Sequence, residues 1–132
     1  MIGLDTNVVV RYVMQDDARQ AAIATRLFER TLSAEHPGFL SAIVLCEVAW
    51  VLETSYGATR EALHEVLRGL LQSRVLVIEY SGLALKALRF LERSAGDFPG
   101  AFIGQIALER GAAKCVTFDR EAAKLPGFEM LA

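Results

Sequence analysis

Short apolar runs alternate along this chain with longer helical stretches, and this alternation constrains the fold more than any other feature. The runs cover residues 1–4, 39–40, 75–80 and 114–118. Runs that stay apolar, without polar residues at every second position, are typical of parallel strands covered by helices on both faces. The pattern therefore predicts an α/β fold, and the tail beyond residue 120 is expected to add a helical turn and an edge strand.

Helical stretches are predicted from apolar residues spaced three and four apart and from capping residues at their ends. The expected N-caps are Thr6, Ser41, Thr59 and Ser81. The helices are expected at about residues 7–14, 18–32, 42–56, 60–73, 82–95 and 99–110. The stretch 42–56 is apolar nearly all round, which predicts a central, buried helix with Trp50 in the core.

Length and composition are typical of a globular protein. The 132 residues are expected to form a single domain, residues 1–132, and 53% of them are hydrophobic, which is too many for a disordered chain. The net charge of −2 argues against a nucleic-acid coat protein, because such proteins are usually basic. It does not exclude a nuclease, because a metal-dependent nuclease must carry carboxylates in its site.

The remaining single residues predict an ordinary intracellular protein. Cys46 and Cys115 lie in apolar runs and are expected to be buried, reduced thiols. The N-terminus has no signal-peptide pattern, and the longest apolar stretch, residues 42–52, is too short to span a bilayer. We therefore expect a soluble, cytoplasmic protein without membrane association. His36 and His64 are expected at the surface.

Four acidic residues stand at positions where an α/β fold places a site. Asp5 and Asp119 directly follow predicted strands, and ligands of such sheets bind outside the carboxyl ends of the strands. Glu47 lies inside the apolar helix, where an ionised group is costly unless it is paired or bound to a metal. Asp97 precedes another helix. Together they predict an oxygen-ligand site for a hard divalent cation.

Each acid taken alone also has an ordinary interpretation. Asp5, Asp97 and Asp119 are all suitable N-caps. Glu47 is also compatible with a buried arginine partner or with a position at a solvent-facing helix edge. Arg11 follows Asp5 by six residues and is compatible either with a phosphate-binding role in the cleft or with a solvated ion pair. The joint placement of the acids, rather than any one of them, favours the cation site.

Four segments of the chain, in this order, carry a family resemblance. They are Ile-Gly-Leu-Asp-Thr-Asn at residues 2–7, the Ser-to-Glu segment at residues 41–47, Asp-Phe-Pro-Gly-Ala-Phe-Ile-Gly at residues 97–104 and Val-Thr-Phe-Asp at residues 116–119. In this combination the chain resembles the PIN-domain family, and in particular the VapC-like ribonuclease toxins of bacterial toxin–antitoxin pairs. The resemblance covers nearly the whole chain.

The resemblance implies a three-layer, Rossmann-like PIN fold, with a central parallel sheet of four to five strands flanked by helices. It implies an endoribonuclease that depends on Mg²⁺ or Mn²⁺, cuts an RNA substrate, is inhibited by a cognate antitoxin and forms a homodimer. The expected catalytic and metal-binding residues are Asp5, Glu47, Asp97 and Asp119. The residues expected to support them by hydrogen bonds are Thr6, Asn7, Ser41 and Thr117.

One position departs from the family pattern. The segment Asp-Phe-Ala-Asp of the family has its second acid where this chain has Gly100, and Asp97 lies one helical turn earlier. A PIN fold that has lost turnover and only binds an antitoxin or RNA is therefore a second hypothesis. A receiver-like phosphoryl-transfer domain is a third, which is disfavoured because no Asp-x-Asp follows the first strand.

Overall fold

Five short strands, all paired in parallel, form the sheets of this protein. The structure is a computed structural model that describes residues 1–131. The strands are β1 (Ile2–Gly3), β2 (Gly38–Leu40), β3 (Leu76–Ile78), β4 (Cys115–Thr117) and β5 (Phe128–Met130). One sheet has the order β1-β2-β3, and β4 pairs with β5 in a second sheet. The sheets belong to two units of the chain, Met1–Glu79 and Tyr80–Ala132.

Six α-helices connect the strands, as the alternating pattern predicts. They are α1 (Thr6–Met14), α2 (Ala18–Arg26), α3 (Ala42–Tyr56), α4 (Arg60–Leu71), α5 (Ser81–Leu91) and α6 (Phe98–Glu109). A π-helical turn, Leu27–Thr31, continues α2, so the predicted stretch 18–32 is helical but changes its hydrogen-bond pattern partway. A 3₁₀ turn, Ala122–Lys124, precedes β5. No helix of the described residues is long and apolar enough to cross a membrane.

In the first unit the strand ends are aligned at one edge of the sheet. Backbone hydrogen bonds continue the ladder beyond the strands, from Leu4 N to Phe39 O at 2.9 Å and from Glu79 N to Leu40 O at 2.9 Å. Because parallel strands share their carboxyl edge, the residues that follow β1, β2 and β3 emerge side by side. These residues are Asp5, Ser41 and Glu79.

The prediction that α3 is buried all round is wrong for one stripe of the helix. Leu45, Val48 and Leu52 are buried, but the side chain of Trp50 is 63% exposed and that of Ile43 is 73% exposed. A helix is buried all round only where other elements surround it. In this protein other elements cover α3 on one side only. The prediction that Trp50 belongs to the core is therefore wrong.

Further single-residue predictions are also corrected. His64 is buried on α4, not at the surface, and Cys46 and Cys115 form no disulfide and are only partly buried. The N-cap of α1 is Asp5, and Thr6 is the first helical residue. At α5 the N-cap is Tyr80, in a left-handed conformation, and not Ser81 as predicted.

In the second unit, α5 packs on α6 around the buried side chains of Phe98 and Phe102, whose ring centroids lie 5.2 Å apart. Gly104 of α6 is in close contact with Phe128 of β5, and a Cβ atom at this glycine would lie 2.2 Å from Phe128 Cε2. Only a residue without a side chain fits there. The second sheet is therefore packed directly against the backbone of α6.

Candidate functional site

Asp5 stands at the carboxyl end of β1 and caps α1. Its backbone is extended, and its Oδ1 atom accepts a hydrogen bond of 2.7 Å from the backbone N–H of Thr6. Its other carboxylate oxygen accepts no hydrogen bond from residues 1–131. The carboxylate is exposed, so the capping interaction leaves one oxygen available to a ligand.

Glu47 is held next to this position by the same threonine. The hydroxyl of Thr6 donates a hydrogen bond of 2.8 Å to Glu47 Oε1, across 41 residues of sequence. Glu47 is exposed on the same stripe of α3 as Ile43 and Trp50, which is the solvent-facing helix edge given above as one of its possible positions. Thr6 therefore joins the two carboxylates, through its backbone N–H to Asp5 and through its hydroxyl to Glu47.

A cleft of about 540 Å³ opens beside this pair. Asp5, Thr6, Asn7 and Glu47 line one part of it, and its other lining residues are Val10, Arg11, Asp16, Val51, Ser55 and Tyr56. The cleft lies entirely within the first unit, between α1 and the C-terminal part of α3 from Glu47 onward. Its polar part contains three carboxylates and one guanidinium group.

The guanidinium group of Arg11 belongs to a network in this cleft. Arg11 Nη1 donates to the Tyr56 hydroxyl at 3.1 Å and lies 3.6 Å from Asp16 Oδ1. The Tyr56 hydroxyl donates to Asp16 Oδ2 at 2.7 Å. This hydrogen bond lowers the pKa of the Asp16 carboxyl below its ordinary value of 3.8 and raises the pKa of Tyr56 above 10.0. The structure therefore contains the ion pair given as one alternative for Arg11, and it places the residue in the cleft.

The other two strand ends of the first sheet carry helix-capping groups. Ser41 accepts a hydrogen bond of 3.2 Å from Val44 N, which makes it the N-cap of α3 as predicted. Glu79 was missed by the sequence reasoning, because it lies inside the predicted run 75–80, whereas in the structure it directly follows β3. Its Oε1 accepts a hydrogen bond of 2.9 Å from Ala42 N, so it stabilises the start of the helix that carries Glu47.

In the second unit, Asp97 is the N-cap of α6. Its Oδ1 accepts a hydrogen bond of 2.8 Å from Gly100 N, and a Cβ atom at Gly100 would lie 2.8 Å from the same oxygen. A side chain at this position therefore requires the carboxylate of Asp97 to move. The helix-cap interpretation of Asp97 is thus present in the structure, and its second oxygen accepts no hydrogen bond from residues 1–131.

Asp119 follows β4 and organises the turn behind it. Its Oδ1 accepts hydrogen bonds from Glu121 N at 2.9 Å and from Ala122 N at 3.4 Å. Its backbone N–H donates to Thr117 Oγ1 at 3.0 Å, so Thr117 contacts the backbone of the acid and not its carboxylate. Asp119 is exposed, and its Oδ2 has no hydrogen-bond donor within residues 1–131.

The donor atoms suit a hard divalent cation. Within either unit, as far as residues 1–131 describe it, no three His, Cys, Asp or Glu side chains form a group that could hold a metal ion. The first unit brings Asp5 and Glu47 together through Thr6, and the second unit carries Asp97 and Asp119. Each of these carboxylates has one oxygen fixed by a hydrogen bond, and oxygen is the ligand that Mg²⁺ and Mn²⁺ prefer.

The structure is an α/β protein in which acidic residues stand just beyond β1, β3 and β4. The chain belongs to the PIN-domain family, whose model matches residues 2–127. This confirms the family resemblance and the predicted fold class. The chain is similar to the VapC ribonuclease of Aquifex aeolicus (strain VF5), with 25% identity over 126 residues, 96% of this chain and 92% of that protein. It is also similar to the crystal structure of VapC20 of Mycobacterium tuberculosis, a sarcin–ricin loop cleaving toxin, with 22% identity, a TM-score of 0.47 and 93% of each chain covered.

Proposed function

We propose that this protein is an endoribonuclease that depends on Mg²⁺ or Mn²⁺ and is the toxin of a toxin–antitoxin pair. Membership of the PIN-domain family and similarity to a VapC ribonuclease support the reaction class. The observation that carries the proposal is the junction at Thr6, which holds the carboxylates of Asp5 and Glu47 beside one open cleft. Such a pair repels itself unless a cation offsets its charge.

In this proposal Asp5, Glu47, Asp97 and Asp119 hold the cation. When bound, the cation would supply the charge that activates water and stabilises the phosphate during cleavage of an RNA phosphodiester bond. The supporting residues keep the acids in place. Thr6 orients Glu47, Ser41 starts the helix that carries it, Asn7 lines the cleft, and Thr117 fixes the backbone at Asp119.

The glycine at position 100 supports a second candidate function. No carboxylate is present where the PIN-family segment places its second acid, and one oxygen of Asp97 is engaged by the helix N-terminus. A site that lacks one acid binds a divalent cation more weakly, because fewer charged ligands are available. The alternative is therefore a PIN-fold binding module, with weakened or lost catalysis, that binds RNA or an antitoxin.

The partners of the protein belong to the same proposal. A cognate antitoxin that covers the site, a homodimeric state and a cytoplasmic location are supported by the likeness to the VapC group. Sedimentation equilibrium of the purified chain at several concentrations tests the dimer. Co-purification with the product of a neighbouring gene, followed by the loss of inhibition when that product is removed, tests the antitoxin.

Cleavage of labelled structured and unstructured RNAs, with Mg²⁺, with Mn²⁺ or with EDTA, tests the nuclease. Wild type is compared with Asp5→Asn, which removes the charge but keeps an acceptor for the helix N-terminus. Asp17→Asn is the matched control, because Asp17 is also a helix N-cap, that of α2, and does not line the cleft. Gly100→Asp restores the acid of the family pattern.

The proposal requires EDTA-sensitive cutting by wild type and by Asp17→Asn, and its loss in Asp5→Asn. If Gly100→Asp is the only form that cuts RNA, the binding module is favoured, because the protein then has the PIN fold but an inactive site. Cutting that continues unchanged in EDTA or in Asp5→Asn rejects the metal-dependent mechanism.

A further inference from the structure

The only cationic side chain that lines the cleft, among the residues described, is Arg11, and the proposed chemistry at Asp5 and Glu47 gives it no role. Arg11 lies on α1, six residues beyond Asp5. At 1.5 Å per residue this is about 9 Å along the helix axis. Arg11 and Asp5 therefore line the same cleft at separate points.

Arg11 is held in place before any ligand arrives. Its Nε donates a hydrogen bond of 2.7 Å to Gln20 Oε1, and its Nη1 contacts Tyr56 and Asp16 as described above. Its Nη2 makes no hydrogen bond within residues 1–131, and 30% of the side chain is exposed. One edge of the planar group is therefore oriented by the protein, and one nitrogen keeps its donors for a ligand.

The ion pair with Asp16 does not disqualify Arg11 as an anion-binding residue. Asp16 accepts the hydroxyl hydrogen bond of Tyr56 at 2.7 Å, which is shorter than its 3.6 Å contact with Arg11. If Arg11 turns toward a ligand, Asp16 keeps a hydrogen-bond donor and remains in contact with water. The network can therefore release part of the guanidinium charge without leaving an unpaired carboxylate.

We propose that Arg11, oriented by Gln20, Tyr56 and Asp16, forms a binding subsite for a backbone phosphate of single-stranded RNA next to the phosphate that is cleaved. The inference rests on the proposed ribonuclease function. Arginine suits this task because it stays charged, and its Nη2 can donate to a phosphate oxygen while Nε and Nη1 remain held by Gln20 and Tyr56. The subsite positions the strand along α1 and takes no part in breaking the bond.

RNA binding without cleavage tests the subsite. Anisotropy of a fluorescent oligouridine is measured in EDTA over a series of KCl concentrations, for wild type, Arg11→Ala, Arg11→Lys, Asp16→Asn and Arg30→Ala. Arg30→Ala is the matched control, because Arg30 is exposed in the π-helical turn of the same unit and does not line the cleft. Thermal melting shows whether each variant is folded.

The subsite predicts that Arg11→Ala binds about tenfold more weakly, the effect of losing one hydrogen bond between charged groups. It also predicts a salt slope that is smaller by about 0.7, the value for one phosphate contact on a single strand. Arg11→Lys should lie between wild type and Arg11→Ala, and Arg30→Ala should match wild type. Asp16→Asn should bind at least as tightly as wild type, because it leaves Arg11 with more free charge.

Two results with the variants would overturn the subsite. The first is binding by Arg11→Ala that equals that of wild type in both affinity and salt slope. The second is a loss of affinity in Asp16→Asn as large as that in Arg11→Ala, which would indicate a structural role for the network. RNA cleavage is scored separately. Cleavage by wild type with unchanged binding by Arg11→Ala rejects the subsite alone, whereas Arg11-dependent binding without cleavage rejects the nuclease alone. A wild-type protein that binds no RNA rejects the subsite.

Discussion

Replacement of Thr6 by valine isolates the hydroxyl that joins the two carboxylates of the first unit. Valine keeps the branched shape of threonine and the backbone N–H that donates to Asp5 Oδ1, so the cap of α1 is preserved. Only the hydrogen bond of 2.8 Å from Thr6 Oγ1 to Glu47 Oε1 is lost. The variant therefore tests whether a fixed orientation of Glu47 contributes to metal binding.

The expected effect is a five- to tenfold loss of Mn²⁺ affinity. A typical hydrogen bond contributes about 1 kcal/mol net, which is a factor of about 5 in a binding constant. Loss of a residue that orients a metal ligand costs about 10- to 100-fold, and the low end applies here because Glu47 is exposed and water can replace the hydroxyl. The free energy of unfolding should change by less than about 0.5 kcal/mol, as for most surface substitutions.

Titration calorimetry with Mn²⁺ measures the affinity, and the cleavage rate at a subsaturating metal concentration provides a second readout. Excess Mn²⁺ should restore much of the rate of Thr6→Val, because the ligands themselves are intact. Thr6→Ser keeps the hydroxyl and should bind Mn²⁺ like wild type. The reasoning is refuted if Thr6→Val binds Mn²⁺ as tightly as wild type, or if Thr6→Ser loses as much affinity as Thr6→Val.

Three further predictions concern packing, capping and titration. Gly104→Ala should lower the free energy of unfolding by about 1–3 kcal/mol in urea denaturation, because its methyl group would overlap the ring of Phe128, and an added Phe128→Leu should recover part of the loss. Ser41→Ala should cost about 1 kcal/mol in the same assay, whereas Ser41→Asp, which keeps a cap, should not. Asp16→Asn should lower the raised pKa of Tyr56 toward 10.0 in a tyrosinate absorbance titration, with Tyr56→Phe identifying the signal. Because the pKa of Tyr56 is raised in the folded state, its contribution to the free energy of unfolding is complete below pH 10.0 and is lost as the pH rises through the raised pKa. Equal stability of wild type and Tyr56→Phe at alkaline pH would contradict this contribution.

Elements with strong local signals were predicted closely. The helix 42–56 begins and ends at the predicted residues, because Ser41 caps its first turn and Gly57 takes up the left-handed conformation at its end. The strands were also located by their apolar runs, although the structure shortens three of the runs to two or three residues and extends the run 39–40 by one residue, Gly38. Caps and continuous apolar runs are local features, so a sequence displays them directly.

The burial of side chains and their hydrogen-bond partners were predicted less well. Trp50 was expected in the core but is exposed, and His64 was expected at the surface but is buried. The apolar character of α3 does not tell which stripe of the helix its neighbours leave uncovered. Glu79, which supports Ala42 N, carried only the weak signal of an acid directly after a strand.

The family, the alternation of strands and helices, and the positions of the four acids could be predicted from the amino-acid order alone. The hydrogen bonds by which Thr6 joins Asp5 to Glu47, and the cleft that Arg11 shares with Asp16 and Tyr56, became visible only in the folded structure. These contacts link residues up to 45 positions apart. The physical reason is that capping and periodicity act within a few residues of the chain, whereas a hydrogen bond across a cleft depends on how whole helices pack.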